Sequence, residues 1–434
     1  MTVIFILRET IMKEMEEEFE DHQLDEGTLD HESYLTASDL QSDSDEESMP
    51  TISMPVDGKG SLVNDLDEQI GNLTQKPDGK YKFVRSVGFG GMKAIIQVGD
   101  KDTTRKVAMA IIPDFEERPK SDVNRFIREA RITARLEHPN IVPIHDIGTD
   151  ANGSPYFTMK YLRGDSLAAT LKKLQSGDPE ILAKYTLPRL LRVFVKVANA
   201  IAFAHSKQII HLDLKPENIH IGEFGEVLVL DWGLAKFIGN EDELEEIPNL
   251  PDKFKDLDHD ATSMMTLDGV AKGTPGYMAP EQAAGKNKEK DERTDIYALG
   301  CILYAILTFE NPLGNRRDIR GMLHDTVVGN IESPSQLKNP SRAIPSRLER
   351  ICLKAMDVLP DGRYQSVSEL RKDIFSFMGG YATQAENAST IKKTSLFISR
   401  NKLPVLFTAS VLALLLLIAI LVFAYKNSII TINL

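Results

Sequence analysis

The chain has 434 residues, 42% of them hydrophobic, and a formal net charge of −13 at pH 7. That hydrophobic share supports a sizeable core and excludes wholesale disorder, while the acidic balance argues against a nucleic-acid binder, which needs clustered positive charge. Two cysteines, Cys301 and Cys352, are too few for a disulfide scaffold or a cysteine-built zinc site and fit a reducing compartment.

The charge is unevenly placed. The first 48 residues hold 16 acids and only two bases, Arg8 and Lys13, a net of −14; the rest hold 48 acids and 49 bases, a net of +1. Residues 1–80 lack a regular apolar period and are expected to form an acidic, mostly disordered arm that cannot offset its ordering entropy. The short apolar start around Val3–Leu7 has no basic segment before it and is not expected to act as a signal peptide.

From Tyr81 the pattern changes. Tyr81–Val87, Ala94–Val98 and Lys106–Ile112 are short β-branched or aromatic runs between Gly and Asp turns, which predicts antiparallel strands. Asp122–Leu136 carries Val123, Phe126, Ile127, Ala130 and Ala134 at helical spacing. Ile141–Ile147 and Tyr156–Tyr161 predict two further strands. Beyond Leu187 the chain is expected to be mostly helical, with long apolar-periodic segments at Leu190–His205 and Ile296–Leu307.

Leu403–Ala424 is 22 residues without a charge. As a helix it would span about 33 Å, against about 30 Å for a bilayer core, and it lacks the polar stripe of a globular helix. Lys392, Lys393, Arg400 and Lys402 precede it and Lys426 alone follows, which places the N-terminal side in the cytoplasm. The expected layout is therefore an arm (1–80), a folded domain (81–378), a basic juxtamembrane linker (379–402), one lipid span (403–424) and a short extracytoplasmic tail (425–434). A homodimer through the span stays open, although the span has no Gly-xxx-Gly face.

Several motifs carry chemistry. Gly88-Phe89-Gly90-Gly91-Met92-Lys93 lies between the first two strands, where glycine lets backbone amides approach phosphates; alone, such a loop is weak evidence. His211-Leu212-Asp213-Leu214-Lys215-Pro216-Glu217-Asn218 is followed by an apolar strand ending in Asp231-Trp232-Gly233. Then come Gly273-Thr274-Pro275-Gly276-Tyr277-Met278-Ala279-Pro280-Glu281 and, later, Asp295. This ordered set resembles the bacterial Hanks-type (eukaryotic-like) serine/threonine protein kinases, over about Tyr81 to Met378.

The resemblance implies an α+β, two-lobed fold with a β-rich N-lobe and a helical C-lobe, ATP in the cleft, Mg²⁺, and protein substrates. It makes Asp213 the group that accepts or orients the substrate hydroxyl proton. Lys215 lies near the transferring phosphoryl group, in the form that resembles the serine/threonine subclass, and Thr274 bridges Asp213 and Lys215. Asn218 and Asp231 present oxygens to Mg²⁺, which prefers hard ligands. Ile95, Ala108 and Met159 line an adenine pocket, and backbone groups of Lys160 and Leu162 reach the purine edge. His220 stands where the family has an apolar residue. Glu281 is expected to pair with Arg363, Asp295 to hold the catalytic-loop backbone, and His211 to pack in the core.

One residue departs from the family. The third strand, which resembles Val-Ala-x-Lys, reads Val107-Ala108-Met109-Ala110, so a methyl group stands where a lysine would hold the ATP phosphates and pair with Glu129. Two readings compete. A pseudokinase would bind partners or nucleotide without transfer. Alternatively, Lys93, at the third glycine position of the loop, reaches the phosphates on its long stem, an arrangement that resembles the with-no-lysine kinases. The presence of Asp213, Asn218 and Asp231 favours the active reading. Leu212 replaces the arginine that in the family binds a phosphorylated activation loop, so that loop is not expected to need phosphorylation. Residues 231–281 form a long segment with acids at Glu241–Glu246 and hydroxyls at Thr262, Ser263 and Thr266. An adaptor role for the acidic arm is a third possibility.

Overall fold

The computed structural model describes residues 79–89, 93–113, 115–150, 153–238, 272–314, 318–337 and 342–432. The acidic arm up to residue 78, Gly90, Gly91, Glu241–Glu246, Thr262, Ser263 and Thr266 lie outside the described residues.

Five strands form the first layer: β1 (Tyr81–Phe89), β2 (Ala94–Asp100), β3 (Lys106–Ile111), β4 (Ile144–Thr149) and β5 (Pro155–Lys160), antiparallel in the order β1-β2-β3-β5-β4. Alternation along the strands sorts the side chains. Tyr81, Ala94, Ile96, Val98, Val107, Met109 and Ile111 cluster on one face. On the other, Ile95, Ala110, Phe157 and Met159 pack with Val123, Phe126, Ile127 and Ala130 of helix α1 (Lys120–Arg135), whose apolar stripe has the spacing its sequence predicts.

The strand expected from Ile141 begins at Ile144 instead. Pro143 has no N–H to donate to a ladder, and Ile141 makes only an isolated bridge to Val229. The chain then turns through β6 (Gly164–Ser166), α2 (Leu167–Gln175) and α3 (Pro179–Lys184) into the long helix α4 (Leu187–Ser206). Next come β7 (Ile209–Ile210), β8 (Ile219–Gly222), β9 (Val227–Val229) and β10 (Lys236–Phe237), which build a β6-β8-β9 sheet and a β7-β10 pair. These strands have two to four residues each, too few for period-two patterning to announce them.

The C-lobe centres on α4 and α6 (Glu292–Thr308), which follows the short α5 (Pro280–Ala283). In α6, 15 of 17 residues are buried, so no polar stripe is possible and the helix is the axis of the lobe. Asp291 starts it with a capping box shared with Thr294. Around it lie α7 (Ile319–Val328), α8 (Ser346–Ala355) and α9 (Val367–Met378).

The stretch expected as a linker is more structured than its composition suggested. Glu386 accepts from Arg347 Nε at 2.8 Å, and Asp373 accepts from the Gln384 amide at 2.5 Å, which ties it to α8 and α9. An exposed helix, α10 (Thr390–Arg400), follows, and then α11 (Lys402–Ile432), which runs on through residues expected as a tail.

Candidate active site

Strand register decides which side chains look into the space between the sheet and the helical lobe. Ile95 is opposite Ala110, Gln97 opposite Ala108, Ala108 opposite Met159 and Ala110 opposite Phe157, so these residues share one face. Lys93 lies two residues before Ile95 and belongs to that face as well. Its ammonium donates to Glu129 Oε1 on α1, and lies 3.3 Å from Asp231 Oδ1. One lysine thereby joins the sheet, the helix and the strand-to-turn segment at Asp231-Trp232-Gly233.

Ala110 itself is completely buried against Phe126 and Ile127. Lys106, at the far end of the same strand, is exposed.

The triad has consistent electrostatics. Burial disfavours the Lys93 ammonium, but Glu129 and then Asp231 overcome it and hold its pKa above the usual lysine value. Burial would raise Asp231, yet Lys93 and then His211 bring it below the usual carboxylate value. Glu129 is raised by burial, which outweighs Lys93. Its second oxygen, Oε2, finds no hydrogen-bond partner among the described residues.

Gly233 makes this closeness possible. A Cβ there would stand 3.1 Å from Asp231 Oδ1 and 3.2 Å from Glu129 Oε2, so a larger residue would crowd both carboxylates. Arg125 Nε donates to Gly233 O at 3.0 Å and fixes the turn to α1.

The second cluster sits on the loop between β7 and β8. Lys215 Nζ lies 2.8 Å from both Asp213 Oδ2 and Thr274 Oγ1, and Thr274 Oγ1 donates to Asp213 Oδ1 at 2.8 Å. Asn218 Nδ2 donates to Asp213 O at 2.9 Å, which leaves its amide oxygen for another partner.

This loop is conformationally costly and is held from behind. Leu212 has φ +65° and Asp231 φ +58°, the left-handed region that a branched side chain disfavours. The buried Asp295 carboxylate accepts from the amides of His211 at 2.8 Å and Leu212 at 2.9 Å, and contacts His205 Nε2 at 2.8 Å. Burial pushes Asp295 up, but His205 and then His211 keep it below its usual value. His211 packs against Trp232 with ring centroids 4.6 Å apart. Gln282 Nε2 donates to Leu212 O at 2.6 Å and to Lys272 O at 2.7 Å. Arg363 meets Glu281 through two nitrogens, at 2.9 and 3.0 Å, beneath the same region, and Thr294 Oγ1 adds a third bond at 2.8 Å.

His205, Arg125 and Gln282 escape a reading of the sequence. The first two act through folded distance alone; Gln282, directly after Glu281, carries no spacing signal of its own. Of the remaining expected residues, Ala108 is buried, Ile95, Met159 and Leu162 are half-buried, and Lys160 is exposed. Gly88 lies at the end of β1, opposite Ile95. His220 is buried and its Nε2 is 3.0 Å from Arg163 O, next to the segment that joins the lobes.

The donors Asn218 and Asp231, an amide and a carboxylate oxygen, suit a hard divalent cation that completes its shell with phosphate oxygens. Among the described residues there is no cluster of three or more His, Cys, Asp or Glu side chains for an all-protein metal cage.

The protein kinase domain family matches residues 81–375. The chain is 38% identical over 311 residues to serine/threonine-protein kinase PknD of Protochlamydia amoebophila, covering 69% of this chain and 30% of that protein. It is 37% identical over 305 residues to PknD of Chlamydia trachomatis serovar D, covering 69% and 32%, and 37% identical over 308 residues to PknD of Chlamydia felis, covering 69% and 31%. The chain thus spans about a third of the length of these curated relatives.

Proposed function

The chain belongs to the protein kinase family, and from that premise we propose that it transfers the γ-phosphoryl group of ATP to serine or threonine hydroxyls of proteins. The observation that carries this reading is the closed Asp213–Thr274–Lys215 cluster set beside an intact Lys93–Glu129–Asp231 triad. A decayed site would not keep both.

In the reaction the substrate oxygen attacks the γ-phosphorus while Asp213 takes its proton. The bond to the β-phosphate oxygen breaks, and ADP leaves with the electron pair. Lys215 offsets charge on the moving phosphoryl group, and Thr274 keeps Lys215 and Asp213 in register. Lys93 stands in for the absent strand lysine: its stem reaches from the sheet and Glu129 holds its head in place. Asn218 and Asp231 would hold magnesium, whose charge balances the phosphates. Glycines 88, 90 and 91 would admit the phosphates; Ile95, Ala108 and Met159 would pack the adenine, with Lys160 and Leu162 at its edge.

The same reading places the kinase at a membrane. Within α11, Lys402–Leu421 is a 20-residue stretch of sufficient length and apolarity to cross a bilayer, and its side chains are exposed. The basic residues before it support a cytoplasmic kinase domain, with residues 1–80 as the acidic arm.

ATP turnover by the full chain tests the proposal, with Lys93→Ala and Asp213→Asn alongside. Turnover in wild type that falls in both variants supports it. An inert wild type leaves the pseudokinase reading. Full activity in Lys93→Ala removes the lysine from the mechanism and keeps the kinase.

A further inference from the structure

Helix α10 (Thr390–Arg400) has none of its 11 residues buried, and Asn401 alone separates it from the apolar α11. At 3.6 residues per turn its side chains sort around the axis. Phe397, Ile398 and Ile391, interspersed with threonine and serine hydroxyls, make one uncharged arc. Lys393 and Lys392 stand at its two edges, and Leu396 and Arg400 lie behind. On the arc, Ile391 is 83%, Phe397 52% and Ile398 46% exposed. Three large apolar side chains held side by side in the open call for a partner. The kinase domain is not that partner, because the residue that reaches back to it is Arg400, on the far side. Its guanidinium lies 3.7 Å from the ring centroid of Tyr381.

Charge and position narrow the partner further. From Asn387 to Leu434 the sequence has no Asp or Glu, whereas Lys392, Lys393, Arg400 and Lys402 fall close together. Among the described residues none of these four cations forms an ion pair. At 1.5 Å per residue α10 is about 17 Å long, so whatever the angle between the helices its cations stay within that distance of the start of α11. The other end is tied as closely. The buried Glu386 accepts from Arg347 Nε at 2.8 Å, Arg350 Nη1 donates to the Glu386 carbonyl at 3.2 Å, and Arg347 also donates to the carbonyl of Tyr381. Only Asn387, Ala388 and Ser389 lie between this anchor and α10, which keeps the helix beside α8 and α9.

We propose that α10 lies on the membrane surface, with Ile391, Phe397 and Ile398 seated at the boundary of headgroups and acyl chains and Lys392, Lys393 and Lys402 holding anionic phospholipid. An uncharged face edged by lysines is the form of an interfacial helix. The lysine stems run along the apolar arc while their ammonium groups reach the headgroups, and several cations without counter-charge complement an anionic leaflet. The proposal rests on the reading that Lys402–Leu421 crosses a bilayer. Because the anchor at Glu386 leaves three residues of slack and Arg400 stacks on Tyr381, lipid held by α10 draws the α8–α9 side of the helical lobe to the membrane.

The test uses the full chain in nanodiscs whose lipids carry brominated acyl chains, which quench a fluorophore on contact. Cys301 and Cys352 are buried, so a cysteine introduced at the surface takes an apolar label alone. A label on Ile391→Cys reports on α10, and one on Val411→Cys reports on the span. In discs of phosphatidylglycerol both labels should be quenched. In phosphatidylcholine the label at 411 should stay quenched and the label at 391 recover. Replacing Lys392 and Lys393 by Gln should lower the ratio of seated to free α10 about 30-fold, at about 1 kcal/mol for each lysine near an anionic surface. Quenching at 411 without quenching at 391 in phosphatidylglycerol overturns the proposal and leaves the span in place. Quenching at neither position removes the span and the proposal with it. Equal quenching at 391 in the two lipids, or quenching untouched by the two substitutions, overturns the assignment to anionic headgroups. Self-quenching between the 391 labels of two chains in one disc, without lipid quenching, gives the face to a second copy and overturns the proposal.

Discussion

The Lys93 ammonium meets the Glu129 carboxylate across the sheet–helix junction, in the space above the fully buried Ala110. Ala110 faces Ile95, and Lys93 projects from the same side of β2 two residues earlier. The ammonium that pairs with Glu129 thus comes from the residue before β2 and not from β3. A lysine at either position points to the same face of the sheet, because side chains on paired strands stand side by side.

That relationship predicts how the cluster responds to substitution. Lys93→Ala should lower phosphoryl transfer about 100- to 1,000-fold, the usual effect of removing a positioned charge. Adding Ala110→Lys to it should restore part of the loss, since the new ammonium approaches Glu129 from the neighbouring strand. Radiolabelled ATP with a generic protein substrate reads both values. A double variant as inactive as Lys93→Ala would show that the strand position cannot serve here.

The ion pair between Glu281 and Arg363 gives a stability prediction. Arg363 is 2% exposed and grips both carboxylate oxygens. Burial raises Glu281, but Arg363 pulls it below its usual pKa. Removing one partner strands the other charge, so Arg363→Ala should cost about 3–5 kcal/mol. Asp361→Ala is the comparison: Asp361 also meets an arginine, Arg293 at 2.5 Å, but its side chain is 94% exposed. Exposed pairs contribute little, and its melting temperature should stay near wild type. Equal losses in the two variants would contradict this.

Much of the fold could be read before the structure, for identifiable reasons. Several of the longer elements announced themselves by apolar pattern: β2, β3, β5, α1, α4 and α6 fall within a few residues of expectation, whereas the other helices beyond Leu187 were expected only as mostly helical chain. The bridging role expected for Thr274 matches its contacts with Asp213 and Lys215, because the resemblance carried that geometry. The rest depends on distance in space. Sequence could suggest Lys93 but not that Glu129 and Asp231 would both approach it. His205 reads as an ordinary helix-end residue, and its contact with Asp295 spans 90 positions. Lys236, Lys272 and Lys290 line one small pocket from three separate segments and share no linear pattern.

The buried Lys290 also predicts a specific dependence on pH. Burial, and then Lys236 and Lys272, push the folded pKa of Lys290 from the usual lysine value of 10.5 down to about 8. For a base with a lowered folded pKa, the unfolded chain holds a proton that the folded chain has released between those two values. Stability therefore rises with pH from about 8 to about 10.5. The full difference corresponds to about 3 kcal/mol, at about 1.4 kcal/mol for each pH unit. Other groups titrate in this range too, so the quantity to compare is wild type minus Lys290→Met. That difference should be near −3 kcal/mol at neutral pH and shrink toward zero by about pH 10.5. Trp232, the single tryptophan, is buried against His211 and its fluorescence reports unfolding by denaturant in nanodiscs. A difference that does not change with pH would mean that Lys290 keeps an ordinary lysine pKa in the folded chain.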